Sequence, residues 1–168
     1  MKRILIIGLG GAGKSTLAQK LGEKLGLEVL HLDRFYWSSG WIKPAPEEWT
    51  RTVTKLISRD SWIIDGDYSG TLTQRIAACD TIIFLDLPAI VCLWRITKRR
   101  LLYRSKTRPD MAAGCPEKLD LEFVQWVLGY TRQTRPKVVK VLQDSLATKR
   151  VIWLRSHEDI NQFLKLVA

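Results

Sequence analysis

Unbroken apolar runs punctuate this chain, and between them apolar residues recur at three- and four-residue spacing. Residues 3–7 (RILII), 28–32 (EVLHL), 61–65 (SWIID), 81–87 (TIIFLDL) and 150–154 (RVIWL) are such runs. They have the pattern of strands buried on both faces of a parallel sheet. Leu17, Leu21 and Leu25 lie four apart, which predicts a helix over 14–25 that Gly26 ends. Pro46 predicts the start of a helix carrying Trp49, Val53, Leu56 and Ile57 on one face. Further helices are predicted at 71–78, from residue 89 to about Arg104, near 119–130 and at 136–147. Ser156 with Asp159 makes a capping-box signature for a last helix containing Ile160, Phe163 and Leu164. Two stretches have no period: 34–46, with Phe35, Tyr36, Trp37 and Trp41, and 105–118, with Pro109, Gly114 and Pro116. Five buried strands separated by helices predict a three-layer α/β domain with a five-stranded parallel sheet. Ligands of such sheets bind beyond the carboxyl ends of the strands. Those ends carry a glycine-rich turn, Asp33, Asp65 and Asp86.

The glycine-rich turn, Gly8-Leu9-Gly10-Gly11-Ala12-Gly13-Lys14-Ser15, fits G-x-x-x-x-G-K-[ST] between an apolar strand and an amphipathic helix. Glycines let the backbone curl so that successive amides point at phosphate oxygens, and the helix that follows turns its positive end to the same place. Lys14 is placed to reach the β- and γ-phosphates of ATP, and the Ser15 hydroxyl to hold Mg²⁺. Gly8, Gly10, Gly11, Ala12, Gly13, Lys14, Ser15 and Thr16 are therefore the candidate nucleotide-binding residues, and the expected fold is that of a P-loop NTPase. Gly8, Gly10 and Gly13 also spell G-x-G-x-x-G, with Asp33 closing the second strand as a dinucleotide site would require. That reading leaves Lys14 and Ser15 without a task, whereas a phosphate loop needs both.

Composition changes the picture at one place. The 168 residues suit a single domain, 1–168, with 46% hydrophobic and 26% charged residues. The first apolar run is only Ile4 to Ile7 before glycines and Lys14, so it reads as a strand and not as a signal peptide. No apolar run approaches the roughly 18 residues of a membrane span. Three cysteines without metal-ligand spacing, Cys79, Cys92 and Cys115, point to a reducing cytoplasm. The net charge of +10 is concentrated: Arg95, Lys98, Arg99, Arg100, Arg104, Lys106 and Arg108 fall in one stretch with no acidic residue. Nucleic acid or a phosphate-rich small ligand would suit such a stretch.

The segments GLGGAGKST, LDRFYWSSGW, WIIDGDYSGTL, DTIIFLDLP, LWRITKRRL and SKTRPDMAAGCPEKLDLEF together span most of the chain. In them it resembles adenylate-kinase-type P-loop kinases, and more closely the bacterial group called DNA topology modulation proteins. The resemblance implies a kinase with a small helical lid, a basic segment at about 104–118, and an acceptor-side insert at about 34–60. It implies that Asp65, in Asp65-Gly66, is the carboxylate near Mg²⁺, while Asp86, before Leu87-Pro88, is structural. It implies that Arg95, Arg99 and Arg100 lie over the nucleotide; Arg95 and Arg99 share a helix face, and Arg99 is suited to offset charge on the transferring phosphoryl group. Arg132 and Arg135 are candidates for the further arginines that such kinases bring to the site. The tryptophan-rich stretch replaces the usual acceptor sequence of adenylate kinases, so the acceptor need not be a nucleotide.

On the acceptor side, Asp33 is expected as catalytic base or as the group that positions an acceptor hydroxyl, against a plainer role as a turn cap. Trp37 and Trp41, in the irregular stretch, are candidates to stack on a planar acceptor; Trp49 suits the core. Asp67, Tyr68 and Arg75 are further acceptor candidates, Arg75 for an acceptor phosphate. The function these residues support is Mg-ATP-dependent phosphotransfer to a small nucleotide, nucleoside or other hydroxy compound. The alternative is a nucleotide-binding regulator that binds DNA, disfavoured because no helix-turn-helix, zinc finger or single-strand platform is present. A GTPase is disfavoured because Glu117-Lys118-Leu119-Asp120 lacks the Asn or Thr of the guanine-reading motif and follows no strand.

Overall fold

The computed structural model describes residues 1–103, 110–116 and 121–167, Glu122 without its side chain. Five parallel strands form one sheet in the order β2-β3-β1-β4-β5: β1 (Arg3–Gly8), β2 (Val29–His31), β3 (Trp62–Asp65), β4 (Thr81–Leu85) and β5 (Arg150–Leu154). The helices are α1 (Lys14–Leu25), α2 (Leu32–Tyr36), α3 (Pro46–Ile57), α4 (Leu72–Ala78), α5 (Ala89–Leu102), α6 (Leu121–Gln133), α7 (Arg135–Ser145) and α8 (His157–Leu166).

Successive strand residues point to opposite faces, so an apolar run supplies two cores. Ile4, Ile6, Ile63, Ile83 and Leu85 face one layer, where they meet Leu17 and Leu21 of α1, Ile96 of α5, Val127 of α6 and Phe163 of α8. Leu5, Ile7, Ile64, Ile82 and Phe84 face the other, against Trp49 and Val53 of α3, Ile76 of α4 and Leu142 of α7. Each fully buried Ile or Leu contributes about 1.5–3 kcal/mol of transfer free energy, which is why the continuous runs dictate a sheet covered on both sides.

Several local predictions hold to the residue. α1 ends at Gly26, whose φ of 63° is left-handed. Pro46 opens α3. In α8 the Ser156 hydroxyl accepts from Asp159 N–H, and the Asp159 carboxylate accepts in return from Ser156 N–H. Two boundaries differ. β2 stops at His31, and the chain turns at once into α2, so Asp33 sits in the first turn of a short helix and not at a strand end. β4 stops at Leu85, two residues short of the predicted end, and the Asp86 side chain reaches partners on α7 and β5. Of the expected lid, residues 110–116 are described; Arg104, Lys106, Arg108 and Pro109, and the segment 117–120, lie outside the described residues.

Candidate active site

The carboxyl ends of β1, β2 and β3 open into a cavity of about 1180 Å³. One end is the glycine loop. Gly11 has φ of 82°, and a Cβ there would lie 2.5 Å from the carbonyl oxygen of Cys92 in α5, so the loop curls hard against that helix and tolerates no side chain. Gly8 is packed as tightly, a Cβ meeting the Leu85 carbonyl oxygen at 2.5 Å. Lys14 Nζ donates to the Gly8 and Leu9 carbonyl oxygens at 2.7 and 3.2 Å. Its ammonium is thus held over the loop's own concavity, where a phosphate oxygen is the stronger partner. Ser15 and Thr16 line the same wall.

Basic side chains of α5 border this end. Arg95 Nη1 donates to the Ala12 carbonyl at 3.3 Å, tying the helix to the loop, and Arg95, Lys98 and Arg99 all face the cavity. A third wall is apolar: Phe123 and Trp126 of α6 stack at 5.7 Å beside Gly10, opposite Ile160 and Leu164 of α8.

The far end is acidic and aromatic. Asp33 Oδ1 accepts from the Tyr68 hydroxyl at 2.5 Å. Burial first, then the charge and hydrogen bond of Asp33, push the Tyr68 phenol far above its ordinary range, so it stays a donor. Trp49, Tyr36, Trp37 and Trp41 form a chain of edge-to-face contacts with centroids about 5 Å apart, and Tyr68 packs on Tyr36 and Trp49. Trp49 closes the core; Trp37, Trp41 and Tyr68 line the cavity.

Asp65, at the end of β3, is buried and its Oδ1 lies 2.7 Å from His31 Nδ1, the residue opposite it in the β2–β3 register. Burial opposes a charge on His31, but the hydrogen bond and charge of Asp65, with a contribution from Asp110, outweigh it, and its pKa is raised. The pair fixes the Asp65 carboxylate at the cavity wall. Asp67 follows two residues later. Its Oδ2 is sealed from solvent without a hydrogen bond, and burial pushes its pKa up to about 6 against the pull of Lys14 and Arg75.

Three expected acceptor arginines stand elsewhere. Arg75 is fully buried behind the wall and donates to the carbonyl oxygens of Thr71, Gly66 and Tyr68, bracing the turn after β3. Arg135 forms a forked pair with Asp86, Nε to Oδ1 and Nη2 to Oδ2 at 2.7 Å each. Arg132 is exposed and outside the cavity wall. Asp86 also accepts from Trp153 Nε1 at 3.0 Å, so its carboxylate is filled by structural partners while Asp65 faces the cavity. His31, Lys43, Asp110, Met111, Phe123 and Trp126 are site residues that sequence reasoning passed over. Only Lys43, three residues before Pro46, carried a local signal, a charge close to Trp41 in the aromatic stretch.

A glycine loop that leads from the central strand into a helix, at the head of a 2-3-1-4-5 parallel sheet, decides the architecture. The chain has a P-loop NTPase fold. Solved structures of kinases superpose on it. Shikimate kinase from Acinetobacter baumannii, in complex with shikimate, matches with a TM-score of 0.62 at 18% identity, over 98% of this chain and 89% of that chain. Shikimate kinase from Bacteroides thetaiotaomicron gives 0.60 at 16% identity, over 98% and 94%. A sugar kinase from Janibacter sp. HTCC2649 gives 0.53 at 18%, over 98% and 91%. A curated relative, the uncharacterized protein YqaC of Bacillus subtilis, is 27% identical over 131 residues, 77% of this chain and 72% of YqaC. No family model matches the chain. Among the described residues no helix is long and apolar enough to cross a membrane, and no group of three or more His, Cys, Asp or Glu forms a metal cluster.

Proposed function

We propose that this P-loop protein is a kinase that transfers the γ-phosphoryl group of Mg-ATP to a hydroxyl of a small acceptor. One observation carries the reading: the glycine loop and the Asp33–Tyr68 pair are opposite ends of a single cavity, so donor and acceptor would meet without crossing solvent. The loop fits a nucleotide triphosphate, because its glycines let it curl against α5 and Lys14 rests on carbonyls that a phosphate would replace. Ser15 and Asp65 offer the hard oxygen donors that Mg²⁺ takes, with His31 orienting the carboxylate. Bound there, Mg-ATP supplies the electrophilic phosphorus and a leaving group already neutralised.

The chain's own residues supply position and charge. Lys14, Arg95 and Arg99 surround the place where negative charge would spread. Asp33 orients the acceptor hydroxyl and takes its proton, with Tyr68 holding the carboxylate at a fixed angle. The apolar wall of Phe123 and Trp126 keeps water from competing. The likeness to DNA topology modulation proteins lies in motifs, and the reading needs no DNA: Arg95, Lys98 and Arg99 belong to the cavity wall, where ATP would meet them. The test is ATP binding and acceptor-stimulated ADP release by wild type and Lys14→Ala. Loss of both in a variant that melts like wild type supports the reading; undiminished ATP turnover by Lys14→Ala refutes it.

A further inference from the structure

The acceptor end of the cavity has a definite chemistry. Asp33, Asp67 and Asp110 line it beside Asp65, which pairs with His31 and which the kinase reading gives to Mg²⁺; Lys43 lines the same cavity, and Lys14 acts on Asp67 from the phosphate loop. An acceptor bearing a phosphate or carboxylate would meet like charge at Asp33, Asp67 and Asp110. Among the described residues, two arginines expected to meet an acceptor phosphate are committed elsewhere: Arg75 to backbone carbonyls and Arg135 to Asp86.

Asp67 adds an independent sign. Its Oδ2 is buried in the wall and accepts nothing, although a buried oxygen left unpaired is destabilising. Asp67 also lines the cavity, and a rotation of its side chain would present this oxygen to a hydroxyl donor there. Trp41 adds a second. It is the non-glycine residue with positive φ among the described residues, 66°, in the turn that closes the Ser38–Ile42 bridge. For a bulky side chain this is a strained conformation, of the kind retained where a site needs it. Its indole lines the cavity edge-on to Trp37, offering a flat apolar surface beside hydrogen-bond acceptors.

Carboxylates that accept from hydroxyls, next to an aromatic face that packs on C–H, make a site for a polyol ring. Resting on the kinase reading above, we propose that the acceptor is an uncharged, sugar-like polyhydroxylated ring, held by hydroxyl hydrogen bonds to Asp33 and Asp67 with an apolar face on Trp41. Its reacting hydroxyl oxygen forms the new bond to the γ-phosphorus as the bond between that phosphorus and the β–γ bridging oxygen breaks. ADP departs, and the hydroxyl proton passes to Asp33 and then to water.

The experiment is an ADP-release panel with wild type and Lys14→Ala in parallel, using aldohexoses, pentitols and inositol against AMP, CMP and shikimate. Lys14-dependent stimulation by a neutral polyol, and not by the anions, is the expected result. Stimulation by the anions alone, or by none of the neutral compounds while Lys14-dependent ATP binding is intact, overturns the acceptor assignment and leaves the kinase reading standing; absence of Lys14-dependent ATP binding overturns the kinase reading itself. With the active polyol, Asp67→Asn should raise the acceptor KM about tenfold or more with the ATP KM unchanged. Trp41→Gly, which removes the strain, should melt no lower than wild type and still raise the acceptor KM. A shifted Mg²⁺ requirement in Asp67→Asn with an unchanged acceptor KM would assign the orphan oxygen to the metal and sink the proposal.

Discussion

Asp86→Asn tests whether the two aspartates at the ends of β3 and β4, the strands that flank β1, have different tasks. In the folded chain Asp86 accepts two hydrogen bonds from the Arg135 fork at 2.7 Å and one from Trp153 Nε1 at 3.0 Å. Asn offers one acceptor oxygen in place of two and turns an amide NH₂ toward Arg135 or Trp153, both of them donors. A hydrogen bond to a charged group contributes about 1.5–3 kcal/mol. The Asp86 side chain is 9% exposed but that of Arg135 is 36% exposed, so the arginine rehydrates and the loss falls toward the lower end. About 2 kcal/mol follows, or a fall in Tm of roughly 4–8 °C for a domain of this length. The effect also depends on pH. Burial opposes the Asp86 charge, but the hydrogen bonds from Arg135 and Trp153 outweigh it and hold the carboxyl below its ordinary range. A depressed folded-state pKa stabilises above the unfolded value of about 3.9 and stops doing so as pH falls through the folded value. The gap in Tm between wild type and Asp86→Asn should therefore be full at neutral pH and close in acid. Thermal melts over a pH series, with ADP release against Mg²⁺ concentration, read both effects. An unchanged Tm with a raised Mg²⁺ requirement would refute the reasoning and exchange the roles of Asp86 and Asp65.

Gly11→Ala should abolish ATP binding, because its Cβ would meet the Cys92 carbonyl 2.5 Å away at a left-handed φ; a calorimetric titration with ATP measures this. Arg75→Met should destabilise by about 3 kcal/mol, since it leaves the carbonyls of Gly66, Tyr68 and Thr71 without their buried donor; a urea melt at wild-type midpoint would show that Arg75 braces nothing. Arg99→Ala should lower kcat by about a decade or more while leaving Tm in place, as loss of a charge-offsetting arginine does; a change confined to KM would assign Arg99 to binding alone.

Much of the fold was legible because burial on both faces leaves an unbroken apolar run, as in Ile4–Ile7 and in 150–154. The phosphate loop was legible because its task needs glycine at fixed positions. The acceptor side was less so, and for a common reason: its partners are distant in sequence. Nothing near Arg135 announces Asp86, which lies on the far side of α5 and α6. Arg75 looks like any cation of a short helix until three carbonyl oxygens are seen around it. The His31–Asp65 pair exists only because β2 and β3 are neighbours in a particular register. Asp33 was identified as a cavity residue, but its helical setting was missed, since Leu32-Asp33-Arg34-Phe35-Tyr36 is too short to show a period.

Residues 110–116 are fastened to the turn that carries Trp41. Gly40 N–H donates to the Gly114 carbonyl at 3.0 Å, Cys115 Sγ donates to the Ser38 carbonyl at 3.2 Å, and a Cβ on Gly114 would overlap Ser39. Asp110 and Met111, at the head of the same segment, face the cavity. The stacking surface and this part of the enclosure are therefore one mechanical unit, and neither can be displaced while the other keeps its bonds. In kinetic terms, an acceptor seated on Trp41 as proposed would also restrain residues 110–116, so on that reading the order in which two substrates arrive would decide how long ATP is exposed to water. On the same reading, an acceptor that arrived first would protect the nucleotide from wasteful hydrolysis, and release of the product would wait on the opening of the Gly40–Gly114 bond.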